Sequence, residues 1–473
     1  VWVRSRPDDN ARARLLARLE DGLEDRITLV VAKSVLGLLD LGEPPESIVA
    51  VGARFAARNR SGGWSSGLTV LCAMANILPD LAPADRALAL TQALSFLADD
   101  VGGHAPRFAL DPLDGTEVGI GRLQDWYRRF IDTRSGDAAE RALATALTDR
   151  DQPWDRAAVE AMMFAAVTDH VFIDEGHTID FTNKAFELVD LLGPETAPEL
   201  LPTLVHQTAA ATRHEELSEW RHPHDLADLL ARTTLVAGAG WNDPSSVSAL
   251  ANDLLVDDPN LVVEALVKAG ENGASAEQLA RAVALAASLR ILRFHIQNDH
   301  RDWNSVHHGF TTANAVHQAI ARNPTPELLR GVLHSALKVY LDRFLNIPAA
   351  RPPAAESGTL DDLAQCWEAQ GMVDQAGREA FGFLAGGGDP SDLLADLGSA
   401  MLNEDAGFHW FQIYEATVRQ FRAWPEGSDE GRLIVAAFAR FLAAHTPTRR
   451  ENSRVVDIAR RLRRGEELFE AEV

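Results

Sequence analysis

The sequence predicts an all-α protein: a multi-helix bundle or array of antiparallel helices with no significant sheet. Apolar residues recur at three- and four-residue steps over stretches longer than strands run, capping residues punctuate those stretches, and no convincing alternating run interrupts them. Taken in order, "DRITLVVAKSVLGLLDLG", "NLVVEALVKAG" and "SAEQLARAVALAASLRILRFHIQ" carry the helical period. "TPELLRGVLHSALKVYLDRFL" opens on Thr325 and Pro326, an N-cap followed by the favoured first-turn proline; "GDPSDLLADLG" repeats that grammar and ends on Gly398. "NIPAARPPAAESGTLDD" breaks the pattern with prolines and small residues. It divides the chain into a main helical domain (1–345), a Pro-rich linker (346–362) and a C-terminal helical region (363–473) expected to pack on the main body.

A chain of 473 residues, 46% hydrophobic and 24% charged, is long enough for a large buried core. Its formal charge of -24 opposes a nucleic-acid partner, because phosphate backbones are held by concentrated Lys and Arg. No apolar run is long enough for a bilayer, and the opening "VWVRSRPDDNARARLLARLEDG" lacks the apolar core of a secretory signal. Cys72 and Cys366 are isolated in apolar helical context, as small core residues of a reducing compartment would be, so a cytoplasmic location is expected. "AGGGDP" lacks the Lys and Ser/Thr of a phosphate loop.

Twelve of the fifteen histidines cluster in three segments, which suits a site assembled between helices. In "DWNSVHHGFTTANAVHQAIARNP", His308 and His317 point to opposite helix faces, and His307 and His308 diverge by about 100°. His308 shares a face with Thr311, Thr312 and Ala315, small residues that leave room for a ligand. His295 ends the preceding helix, a short turn away. His177 follows the glycine of "DEGH", and His170 precedes that turn. These four, His170, His177, His295 and His308, are the candidate metal ligands, since neutral imidazole suits iron, zinc or copper. Asp169, Asp174, Asp180 and Asp299 lie nearby as acceptors for the second ring nitrogens. Among the few lysines, Lys184 lies seven residues after His177 on the same face and Lys338 four after His334; both are candidate catalytic residues if they face the pocket. The plainer alternative pairs Lys184 with Asp180. In "HEELSEWRHPHDL", Arg221 is expected to pair with a nearby acid at a junction between helices.

"HGFTTANAV" (His308 to Val316) resembles the His-Gly-hydrophobic-Thr-Ser segment of the questin oxidase-like family, and "HTIDFTNKAFE" (His177 to Glu187) is similar to its segment with a leading His followed by Ala-x-Glu, in the same order. His177 and His308 are the matched histidines; His170, His295, Lys184 and Lys338 are additions from spacing. The resemblance implies a helical fold and oxygen chemistry on aromatic polyketide-like compounds, Baeyer–Villiger-type or ring-cleaving. It also implies non-heme iron held by several histidines and a carboxylated lysine. The early helix "ITLVVAKSVLGLLDLG" departs from the family in carrying no histidine.

The leading expectation is therefore a metal-dependent oxygenase with non-heme iron, a small apolar substrate, dioxygen and a separate redox partner. The alternative is a non-catalytic helical binding or interaction protein with structural histidines. A hydrolase finds no nucleophile elbow in this sequence.

Overall fold

Every regular element is a helix, and no strand occurs among the described residues, as the periodicity predicts. The structure, a computed structural model, describes residues 7–59, 63–113, 118–148, 154–354 and 357–466. Parts of the opening segment, of the Pro-rich stretch and of the C-terminal region thus lie outside the described residues. No helix is long and apolar enough to cross a membrane among those described.

Caps account for many of the helix starts. Ser65, Asp155, Asp258, Asp389 and Ser428 each accept a backbone N–H of the first turn, and Ser275 forms a reciprocal capping box with Gln278. Two expected boundaries shift. The helix Leu328–Leu341 begins after Thr325, whose hydroxyl still accepts the Leu328 N–H at 3.3 Å. The helix Pro390–Asn403 runs straight through Gly398, which does not terminate it. That glycine is needed for space, since a Cβ there would stand 2.5 Å from both Leu81 and the Tyr414 hydroxyl. Arg221 does pair with an acid, Asp225, which in turn caps the helix Leu226–Ala231.

Three helices position the site: His177–Leu192, Trp303–Arg322 and Phe408–Arg422. The Trp303 helix is packed by Ala276–Leu292, Leu328–Leu341, the His177 helix and the Phe408 helix, and buries nearly every face. The Phe408 helix also packs on Ser66–Ile77 and on Asp429–His445. The C-terminal region therefore packs on the main body through a helix that enters its centre.

A ladder of polar rungs joins the His177 and Phe408 helices. Residues 177, 180, 184 and 187 form one stripe; 409, 412, 415 and 419 form the other. The rungs pair His177 with His409, Asp180 with Gln412, Lys184 with Glu415 and Glu187 with Arg419. Partner numbers rise together, so these two helices run parallel, a departure from the antiparallel expectation at this one pair. Lys184, only 1% exposed, holds Glu187 and Glu415 at 2.9 Å each. Asn76 donates to the same two carboxylates at 2.9 and 3.1 Å, and Arg419 reaches them at 3.3 and 2.6 Å. Arg322 closes the far end through Glu160 at 2.6 Å and Asn183 at 3.0 Å.

Burial works against both signs of charge in this network; at Glu187 and Lys184 the pairing wins, whereas at Asp180 burial wins and raises the carboxyl to about 7. Glu187 is desolvated, yet Lys184, Arg419 and Arg322 hold its carboxyl down at about 2. Lys184 is desolvated, yet Glu187, Glu415 and Asp180 hold its ammonium above the ordinary range. Removing one member strands the others, so Lys184→Met is expected to cost about 3–5 kcal/mol in urea unfolding. The pH dependence has a definite sign. Glu187 has a depressed folded-state pKa, so its stabilisation is complete above the ordinary carboxylate value of 4.5 and drains as pH falls towards about 2. Asp180, raised by burial to about 7, pulls the other way, so the test is a difference: the stability gap between wild type and Glu187→Gln in urea unfolding should shrink as pH falls from about 4.5 to about 3.

Candidate metal centre

His177, His308 and His409 converge at the start of the ladder, with one ring nitrogen of each lying within 4.8 Å of the others. His177 is the first residue of its helix, His409 the second of its own, and His308 stands in the second turn of the Trp303 helix. Ring centroids are 4.7 Å apart for His177 and His308, 4.6 Å for His308 and His409, and 5.5 Å for His177 and His409. An imidazole nitrogen bound at about 2.1 Å puts the ion about 3.2 Å from the ring centroid; imidazoles sharing an ion then have centroids about 4.5 Å apart at a right angle and about 5.2 Å at the tetrahedral angle. The donor set suits a transition-metal ion, provided the ring nitrogens, within 4.8 Å of one another, draw in to the roughly 3.0–3.4 Å that a shared ion at about 2.1 Å requires.

Hydrogen bonds on the outer side of each ring decide which nitrogen carries the proton. The Nδ1 of His308 lies 3.0 Å from a Glu175 carboxylate oxygen, an acceptor, so Nδ1 is the donor. The Gln412 amide donates its NH2 to Asp180, which aims its carbonyl oxygen at the Nδ1 of His409, 3.1 Å away. That Nδ1 must also donate. In the neutral rings both Nε2 atoms are then bare lone pairs, and they face one another at 3.2 Å. Two lone pairs at that distance repel unless a proton, making an imidazolium–imidazole hydrogen bond, or a metal ion lies between them. Burial, with His308 adding, lowers His177 to about 4; burial, with His308 and His177 adding, lowers His409 to about 3. His177 and His409 are therefore neutral near pH 7, the form that binds a metal.

The carboxylates reach the rings from a strained turn. Phe172, Asp174 and Glu175 all have left-handed backbone at φ 42°, 50° and 57°, each costing roughly 1–2 kcal/mol for a residue with a Cβ. Gly176, at φ 88°, completes the turn, and a Cβ there would collide with the Thr312 hydroxyl at 2.0 Å. Two backbone hydrogen bonds clamp the turn, from Asp174 N–H to Thr212 and from His214 N–H to Val171. Glu215 adds a third clamp, accepting from the Val171 N–H at 2.8 Å. The result holds Asp174 3.9 Å from His177 and Glu175 against His308; the His308 contact outweighs burial and keeps the Glu175 carboxyl at about 2.

Two of the four ligand candidates meet here, His177 and His308. His170 does not; its Nδ1 is bound to Glu215 at 2.7 Å, where it braces the strained turn from behind. His295 stands apart as well, accepting the Gln297 N–H within its own turn at 3.2 Å. Lys184 is a rung of the ladder and not a wall of the pocket. Lys338 lines a cavity of about 560 Å³ but is held there by Ser305 and Asp342, both at 2.6 Å. Of the suggested acceptors, Asp174 faces His177 and Asp180 acts on His409 through Gln412. Asp169 pairs with Arg128, and Asp299 caps its own turn. Sequence reasoning passed over His409. Its signal was the polar series His409, Gln412, Glu415 set among Phe408, Trp410, Phe411, Ile413 and Tyr414, matching His177, Asp180, Lys184.

The same cavity borders His308 and Glu175, and its walls include Phe172, Trp220, Tyr340 and Phe344. Beside the triad lies His307, 1% exposed, with neither ring nitrogen hydrogen-bonded; such an unmet group costs roughly 1–3 kcal/mol. Comparison with known protein families, curated proteins and solved structures finds no match to this chain.

If the outer hydrogen bonds set the donor lone pairs, Glu175→Gln and Gln412→Leu should each weaken zinc(II) binding by about 10–100-fold. Competition titration against a chromophoric chelator measures this. Unchanged affinity in both variants would remove the tautomer argument.

Proposed function

We propose that the chain is a metal-dependent oxidoreductase, an oxygenase whose three histidines hold non-heme iron beside a pocket for a small apolar, aromatic polyketide-like substrate. The observation that carries this reading is the convergence of His177, His308 and His409, whose ring nitrogens lie within 4.8 Å of one another, with the Nε2 atoms of His308 and His409 3.2 Å apart, a separation that a shared metal ion would satisfy. The cavity supports a small-molecule substrate, because about 560 Å³ is within the range of such sites; Phe172, Trp220, Tyr340 and Phe344 offer faces for a flat ring, and Glu219, Lys338 and Arg343 offer charged partners for its oxygens and hydroxyls. The questin oxidase-like resemblance at His177 and His308 supports iron over zinc.

When bound, the metal supplies dioxygen activation and a Lewis acid beside the pocket. The protein's own part is to place and protect. Glu175 and Gln412 orient His308 and His409, while Phe181 and Phe408, with centroids 5.6 and 5.9 Å from His177, shield the triad from water. Lys338 lies on the cavity wall as an ion pair with Asp342 at 2.6 Å, a polar edge for a substrate hydroxyl or carbonyl. Ring cleavage that places both atoms of dioxygen in the product needs no outside electrons. Insertion of one atom needs two electrons from a separate redox partner, the other atom leaving as water.

Elemental analysis of protein purified without chelator or nickel tests the reading. About one iron per chain is expected, lost in the His177→Ala/His308→Ala double variant. Zinc at that stoichiometry would favour hydrolysis. No metal, even after anaerobic reconstitution with ferrous iron, would overturn the metal centre and leave a helical binding protein.

A further inference from the structure

We propose that His307 is a fourth imidazole of the metal centre, turning onto the ion that the triad holds. This rests on the metal reading above and extends it to a residue the triad does not include. The first support is the unmet hydrogen-bonding capacity. His307 lies in the core with no partner at Nδ1 or Nε2, although an apolar side chain of that size would fill the space at no polar cost. Nearby groups do not supply one. Phe441 flanks its ring at 6.0 Å, and the Nδ1 of the neighbouring His445 is already committed to the Phe441 carbonyl at 2.7 Å.

The second support is distance. The His307 ring centroid lies 4.6 Å from that of His308 and 4.1 Å from that of His409, close to the separations within the triad itself. Imidazoles sharing an ion at a right angle have centroids about 4.5 Å apart. The nitrogens of His307 are not among those that already converge. No hydrogen bond opposes the turn that would bring one of them in. As adjacent residues His307 and His308 diverge along the helix, so they would bind from different sides of the ion, which two ligands on one centre require.

Cobalt(II) is the probe, because its visible spectrum reports coordination number. The metal-stripped full chain would be titrated as wild type, His307→Leu, His307→Gln and, as a control, His409→Ala. Both His307 variants are expected to bind cobalt at least 10-fold more weakly than wild type with an altered visible band, and the leucine variant to melt at or above the wild-type temperature without metal. Affinity within twofold of wild type and an unchanged spectrum in both would overturn the proposal while leaving the triad intact. If His307→Leu does not fold, the glutamine variant decides on the same readout. If wild type takes up neither cobalt nor iron, the metal reading falls and this proposal with it.

Discussion

A lysine buried between two glutamates fixes most of what lies around it. Lys184 cannot leave Glu187 and Glu415 without stranding charge in the core, so the His177 and Phe408 helices are held in one register. That register reaches the site directly. Two turns towards the N-terminus from Lys184 stands His177, and the same climb from Glu415 leads through Gln412 to His409. The imidazoles meet because charges below them have already been matched.

Opposite this rigid ladder is a turn held under strain. Left-handed backbone at Asp174 and Glu175 is unfavourable, and Glu215 and His170 brace it from outside. What the strain achieves is placement: two carboxylates arrive at ring nitrogens that the ladder cannot reach. His308, on the deeply packed Trp303 helix, is the fixed point between the two devices.

The helices were legible because their signal is local. Periodicity and caps lie within a few residues of one another, so "SAEQLARAVALAASLRIL" declares both its face and its start. Gly398 misled because a C-terminal glycine and a glycine at a crossing look alike in one dimension; only Leu81 and Tyr414 reveal the difference. His177 and His308 were identifiable from their segments, and Lys184 was rightly placed on the face of His177. That face, however, meets Glu415, which lies 231 residues away along the chain. No spacing rule links 177 to 409. His170 looked like a ligand because it borders the turn, yet at a turn one residue's shift reverses the direction a side chain takes.

The ladder also dictates an order of events in the making of the protein. Asp180 meets Gln412 across 232 residues, and closing so long a loop comes late. A ribosome releases the His177 and Trp303 helices well before the Phe408 helix exists, so the nascent chain carries two imidazoles and a lysine with half its counter-charge. Only when the last helices emerge does the lysine gain its distant glutamate and the cluster its third histidine, so synthesis itself determines when the site can first be complete.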